Sequence, residues 1–262
     1  IHSTSDNFTI FQNNFINFKK RCEVTIEDNF NFINNSINNI NYNINVEEDA
    51  TIKHNIFQNF ANSNKLYLTS NTVCEKNSSY SQNTYNFSDG FVRNFHHVKL
   101  NGKFSNASLK GCFFLKDKNI CSNKTNIKHN AENCISDQIY KGILNDHSKA
   151  SYYSNTFVSE NAQKTEGYQL SRGILLTDNC SFFSKPELRI FADDVKCSHG
   201  STIGPVDESA LYYLRSRGIS KNEAMKMIIS SFIEENLQNL DKNIAEIISN
   251  NLSNYLSSLV ND

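Results

Sequence analysis

The 262-residue chain has no tryptophan, two prolines and nine glycines, and apolar residues make up only 38% of it. So little Pro and Gly excludes collagen-like and Pro-rich linker architectures. No apolar run approaches the roughly 20 residues that span a bilayer, which reads as a soluble chain. Net charge is −1 at pH 7, so the composition gives no sign of the broad positive field that nucleic acid or anionic lipid requires. The seven cysteines are odd in number and include no C-x-x-C pair. That argues against a disulfide framework or a self-contained zinc site, and for reduced thiols. Also missing are a G-x-x-x-x-G-K-[ST] phosphate loop, a G-x-S-x-G elbow and an H-E-x-x-H helix. ATP hydrolysis, acyl transfer and zinc proteolysis therefore lack their usual sequence support. The chain opens on Ile1 rather than Met, as a mature form or an excised fragment would.

Asparagine, by contrast, is plentiful at about 15% of the residues, well above ordinary usage. Drift in an AT-rich genome explains this by composition alone. A second reading uses the tolerance of Asn for the left-handed αL conformation at turns. Up to about Thr84, pieces such as NFTIFQNNF, CEVTIEDNFNF, ATIKHNIFQNF and KLYLTS alternate apolar and polar residues as strands do. The run FINNSINNINYNIN, near 31–46, is expected to be a loose loop insertion. From Phe91 to Ser198, short strands recur about every ten residues (FVRNFHHVKL, SNASLKGCFFL, KTNIKH, QIYKGIL, SYYSNTFVS, YQLSRGILL and ELRIFADDVKCS). No helical segment long enough for a βαβ crossover separates them, which excludes a doubly wound sheet. Sandwich, barrel and β-solenoid all remain compatible with this periodicity.

After Pro205 the pattern becomes helical. Asp207 can cap a helix running to Gly218, a natural stop. Ser220 and Glu223 form an S-x-x-E capping box ahead of a stripe of Met225, Ile228, Ile229, Phe232 and Ile233. A third helix starts at Asp241 and carries apolar residues from Ile244 to Leu259.

Few residues suggest chemistry. Cys197 and His199, two apart on a strand, leave the same face. A thiol beside an imidazole is a soft N/S pair suited to iron, zinc or sulfur chemistry. Two ligands do not complete a tetrahedral site, so a functional reading places the missing ones on another chain. A buried cysteine beside a hydrogen-bonded histidine is the plainer alternative. Asp193 and Asp194 read as turn or surface residues, Arg215 and Arg217 as partners of a helix C-terminus, and the His96–His97 doublet as surface.

The words around this pair are specific. KPELRI, ADDVKCSHGST and LYYLRSRGI, in that order, resemble the SufD family of the SUF iron–sulfur assembly system. TNIKHNAENC, IYKGIL and NAQKTEGYQLSRGILLTD extend the resemblance over about Thr125 to Glu235. It implies a right-handed parallel β-helix core over 1–205, with 1–90 divergent and Asn-rich, followed by a C-terminal α-helical segment over 206–262. It implies a non-catalytic scaffold that pairs with a SufB-like paralogue and docks a SufC-like ATPase, where the ATPase activity resides. His199, with Cys197 beside it, would face the paralogue where a transient iron–sulfur cluster forms, the partner chain completing any metal site. Leu211, Tyr212, Leu214, Arg215 and Arg217 would belong to the SufC-docking region. The resemblance leaves room for reduced flavin in the complex; the same sheet edge could pair with its own copy to give a homodimer when the paralogue is absent; and the Asn-rich composition together with the resemblance points to a plastid or apicoplast stroma or a bacterial cytoplasm. The rival reading is an autonomous parallel β-helix enzyme or binding protein acting on polysaccharide, the enzyme needing clustered carboxylates or basic residues in a groove on one face of the solenoid.

Overall fold

Alternating side chains without crossover helices leave each strand one face to bury, and here the strands of the central coils turn that face into the interior between two sheets. The computed structural model describes residues 8–32, 35–60, 64–237 and 242–258. Fourteen strands run in chain order: β1 Phe8–Phe18, β2 Glu23–Phe30, β3 Ser36–Val46, β4 Thr51–Gln58, β5 Lys65–Cys74, β6 Ser79–Asn86 and β7 Phe91–Leu100. They continue as β8 Asn106–Leu115, β9 Ile120–His129, β10 Ile135–Leu144, β11 Lys149–Val158, β12 Thr165–Leu175, β13 Ser181–Ile190 and β14 Val195–Pro205. The odd-numbered strands form one seven-stranded sheet and the even-numbered strands a second, both wholly parallel. The chain is thus a parallel β-helix of seven two-strand coils, as the resemblance implies. Inward residues such as Leu66, Val92, Leu109 and Phe113 fill the interior.

The corner after each odd strand from β1 to β11 is held by a residue at positive φ: Arg21, Asp49, Asn77, Phe104, Asn133 and Lys164. Its N–H donates to a carbonyl of the next coil, as from Asp49 to Lys76 (3.0 Å) and from Asn77 to Lys103 (3.0 Å). Asn77 and Asn133 fill the αL role expected of asparagine. Many of the other amides do something else. Identical positions of successive coils stack amide on amide, as in Asn41 on Asn13 (3.0 Å), Asn83 on Asn55 (2.9 Å) and Asn130 on Asn101 (2.7 Å). Such ladders satisfy polar groups along the coil axis. Phe104 stands out among the corner residues, because a bulky side chain is costly at φ 62°. Phe104→Asn should raise stability by about 1 kcal/mol, read as a higher urea midpoint with unchanged slope.

Three sequence expectations need correction. The segment near 31–46 is not a loose loop: β3 pairs in register with β1 and β5, and its Ile40, Tyr42, Ile44 and Val46 are core. Ile33 and Asn34 lie outside the described residues, as do residues 1–7. Dense asparagine hid the strand, because stacked amides make a polar run compatible with a sheet. ELRIFADDVKCS is not one strand: β13 ends at Ile190, Asp193 and Asp194 sit in the bend, and β14 begins at Val195. The His96–His97 doublet is not a surface pair. Neighbours on a strand face opposite ways, so His97 is half-buried on the outer face while His96 is fully buried inside the coil.

Three helices follow: α1 Glu208–Ser216, α2 Lys221–Leu237 and α3 Lys242–Ser258. Asp207 caps α1, accepting from the backbone N–H groups of Ser209 (2.9 Å) and Ala210 (3.2 Å), and Gly218 after it has φ +85°. The Ser220–Glu223 capping box forms in both directions. Asp241 and Leu259, which the third expected helix includes, lie outside the described residues. Ile229 and Ile233 of α2 and Ile248, Leu252 and Tyr255 of α3 pack on Phe57, Tyr85, Phe114 and Ile143, the outer face of the even sheet. Lys141 fixes this layer: fully buried, it donates to the Phe232 carbonyl (2.6 Å) and lies 5.0 Å from the Phe232 ring centre. No described helix is long and apolar enough to cross a membrane.

Candidate functional site

The coil interior is unusually polar. On the even sheet, the register aligns Ile26, His54, Gln82, Leu109, Gln138, Gln169 and His199 in one inward row. His54 meets Asp28 at 2.7 Å and Tyr80 at 3.2 Å, Tyr80 donates to Gln82 (2.9 Å), and the Gln82 amide reaches His96 at 2.7 Å. Further along, Gln138 and Gln169 both donate to Thr156, at 2.8 and 2.7 Å. Most of these groups are satisfied by a neighbour above, below or across the lumen, as buried polar groups generally are, although the Nε2 of His96 is buried without a partner.

That stacking stops at the last coil. β14 pairs with β12 on one side and is the terminal strand of its sheet, as β13 is of the odd sheet. Cys197 pairs with Gly167, and His199 with Gln169. Cys197 turns inward, packed against Val158, Ala162 and Ala192, and a side chain at position 167 would press on its sulfur. Burial pushes its thiol above the usual range, so at neutral pH it stays protonated and is a weak ligand or nucleophile by itself. His199 has the same inward parity but is exposed. Gln169 beneath it is buried, and the difference arises because no further coil covers His199. Nearby, the hydroxyls of Ser171 and Ser184 are buried without a hydrogen-bond partner.

The structure therefore brings Cys197 and His199 to one open end of the lumen, beside two strand edges with unpaired N–H and C=O groups. Among the described residues no group of three or more His, Cys, Asp or Glu side chains could hold a metal ion. This end can donate an imidazole and, less readily, a thiol to something arriving from outside; it cannot complete a coordination shell alone. The match to known proteins decides the family. The family model described as "SUF system FeS cluster assembly, SufBD core domain" matches residues 1–232.

The chain belongs to the SufBD core family. The match takes in the Asn-rich first 90 residues, consistent with their place in the β-helix. The chain is 30% identical over 218 residues to the iron–sulfur cluster assembly protein SufD of Escherichia coli K12, covering 82% of this chain and 51% of that one. It is 27% identical over 205 residues to SufD of Plasmodium falciparum, covering 76% of this chain and 14% of that one. It is 41% identical over 99 residues to the chloroplastic protein ABCI7 of Arabidopsis thaliana, covering 37% of this chain and 21% of that one. Within the SufBD core family the chain is SufD-like, and it spans about half the length of the bacterial relative.

On α1 of this SufBD core chain, Leu211 is buried and holds the helix down, and Leu214 is half-buried. Tyr212 and Tyr213 are 76% and 58% exposed. Arg215 and Arg217 are exposed, with the Arg217 guanidinium 5.2 Å from the Tyr213 ring centre. Tyr213 and Lys141 escaped the sequence reading. Lys141 was legible as the one charged residue inside IYKGIL, but its burial depends on α2 folding back over it. Also missed was a groove of about 550 Å3 on the outer face of the odd sheet, where Arg93 and Lys124 meet Tyr67, Phe95 and Tyr153. It supplies the basic residues that the polysaccharide-enzyme reading needs. No carboxylate lines it, so it lacks the acid and base that cleave a glycosidic bond.

Proposed function

We propose that this chain is a scaffold subunit of a SUF-type iron–sulfur cluster assembly complex. In this reading it performs no turnover itself. Its β13–β14 end pairs with a SufB-like paralogue, and the cluster is cargo formed between the two chains. His199 offers its imidazole to iron at that seam, with Cys197 a secondary donor once the partner's groups lower its pKa. The exposed side chains of Tyr212 and Arg215 on α1 and of Arg217 at its C-cap, with Leu214 beside them, receive a SufC-like ATPase, and Leu211 keeps that helix seated. The observation that carries the reading is His199 itself: an exposed imidazole in an inward row that is buried from His54 to Gln169, on an edge strand that lacks its next neighbour. Bare edges pair with like edges, so the same end would join two copies of this chain when the paralogue is absent. The names of the relatives favour a plastid-type stroma or a bacterial cytoplasm.

Co-purification with SufB-like and SufC-like partners under anaerobic conditions, followed by iron and sulfide analysis, tests this. His199→Ala should leave the complex intact and lower cluster content at least about tenfold, as loss of a first ligand does. Cys197→Ala should have the smaller effect. An unchanged cluster content in His199→Ala would remove His199 from the site, and failure of the three proteins to associate would remove the scaffold reading.

A further inference from the structure

A net charge of −1 conceals a strong segregation of charge. The outward positions of the odd sheet carry Lys65 on β5, Arg93 and Lys99 on β7, Lys124 and Lys128 on β9, and Lys149 on β11. β13 adds Lys185 and Arg189. The one carboxylate at the outward positions of these strands is Glu187, already 2.7 Å from Arg189. None of the other cations has an ion-pair partner among the described residues. The field is felt locally: burial, then the charges of Lys99 and Lys128, push His97 below its usual pKa. Helices α2 and α3 pack on the even sheet, so they do not neutralise this face.

We infer that the outer face of the odd sheet is a docking surface for a protein partner that presents acidic side chains, with Arg93 and Lys124 in the central groove as its anchor. Charge complementarity favours an acidic occupant, because a face of uncompensated cations attracts and orients a negative one. Size favours a protein. The five cation-bearing strands, four spacings of about 4.8 Å across and about ten residues long, give a face of roughly 600 Å2, which the uncharged β1 and β3 extend to roughly 800–900 Å2, close to one side of a standard protein–protein interface at about 800 Å2. The aromatic rings disfavour single-stranded nucleic acid. Lys124 lies 5.2 Å from the Phe95 ring centre and Lys128 5.0 Å from that of Phe157. Tyr67 leans on Phe91 and Tyr153 on Phe183 at 42° and 46°. Around the cations, ring faces covered by cations or tilted against each other form no open row on which bases stack, and the open rings of Phe11 and Phe15 lie on β1, away from the cations. Aromatic and arginine side chains around a groove are instead what a protein hot spot uses. Its anchor residues, Arg93 on β7 and Lys124 on β9, lie three and two strands in from the β13 edge, so they leave that edge to the partner proposed there.

The test compares the full chain with Arg93→Glu/Lys124→Glu/Lys128→Glu and with a control of equal charge change elsewhere, Lys53→Glu/Lys103→Glu/Lys110→Glu. A neutral variant, Arg93→Gln/Lys124→Gln, guards against misfolding, and each protein is checked by circular dichroism and thermal midpoint. The probes are a fluorescent polyglutamate peptide, an oligothymidylate of equal length, heparin and phosphatidylserine vesicles. The expected result is salt-sensitive polyglutamate binding that weakens at least about tenfold in both face variants and is unchanged in the control. Tighter binding of oligothymidylate, heparin or vesicles than of polyglutamate overturns the protein assignment in favour of that class. Equal loss in the control, or no binding of any probe, overturns the surface itself. Neither result bears on cluster content, so this inference and the scaffold reading stand or fall separately.

Discussion

Acidification from pH 7 to about 4.5 should remove roughly 5 kcal/mol of folding stability, most of it traceable to two histidines inside the coil. His96 is fully buried, its Nδ1 held by Gln82 (2.7 Å) and Ser70 (2.9 Å). Burial, with a smaller contribution from His54, lowers its pKa to about 3. His129, whose Nε2 sits 2.8 Å from the Ser136 hydroxyl, is lowered by burial to about 4. Both values lie below the roughly 6.5 of an unfolded histidine, so the folded protein keeps these rings neutral while the unfolded chain takes up protons. Stability is therefore complete above about pH 6.5 and falls with pH, by about 1.4 kcal/mol per unit for each ring, until the folded pKa is reached. The Asp28 carboxyl acts in a lower window. Its burial opposes ionisation, but hydrogen bonds from His54 and Tyr42 hold its pKa below the usual value, so its contribution is lost only as pH falls through that lowered value. Urea unfolding at about pH 7, 5.5 and 4.5 measures the slope. His96→Gln and His129→Gln should each flatten it by about half, whatever they cost at pH 7. A slope that neither substitution changes would assign the acid sensitivity to other groups.

Lys141→Glu should release α2 and α3 from the β-helix without unfolding the coil. A charge-assisted hydrogen bond of the kind Lys141 makes to Phe232 contributes about 1.5–3 kcal/mol. A carboxylate in its place would face a carbonyl oxygen in a dry layer, at a further cost of several kcal/mol. The helices hold the sheet through an apolar layer of limited extent, so a penalty of this size exceeds their local attachment rather than the stability of seven coils. Lys141→Met keeps the packing of the side-chain stem and should cost only about 2 kcal/mol. Hydrogen exchange would read the difference: protection lost across α2 and α3 in Lys141→Glu, retained in Lys141→Met, and unchanged in β5 to β11 for both. Full helix protection in Lys141→Glu would show that the ammonium is not the fastening.

What could be read from the sequence follows from the range of the interactions involved. The helical caps are local, so Asp207, Gly218 and the Ser220–Glu223 box were legible from spacing alone. Strands with apolar alternation, such as β7 and β8, were legible for the same reason. β3 was not, because its polar positions are satisfied by amides about 28 residues away, a pairing invisible in a short window. Cys197 and His199 were rightly placed on one face. That the face is the lumen, and that His199 is bare because the stack ends above it, depends on counting coils, which only the fold supplies. The basic outer face was hidden differently: summed over the whole chain its charge cancels, and only the alternation of seven strands in register gathers it on one side.

The register also governs where this chain can gain or lose residues. The repeat is 26 residues from Lys65 to its partner Phe91 and 32 from Lys149 to Ser181, yet the strands stay aligned because the difference is taken up at the corners. An insertion within a strand would swap its inner and outer rows and break every amide rung beyond it, whereas the same insertion at a corner shifts nothing. The coil is in this sense a ruler with fixed marks and elastic gaps. Inserted epitopes, cross-linking sites or fluorescent labels belong in those gaps, where length can change and the order of the rows is kept.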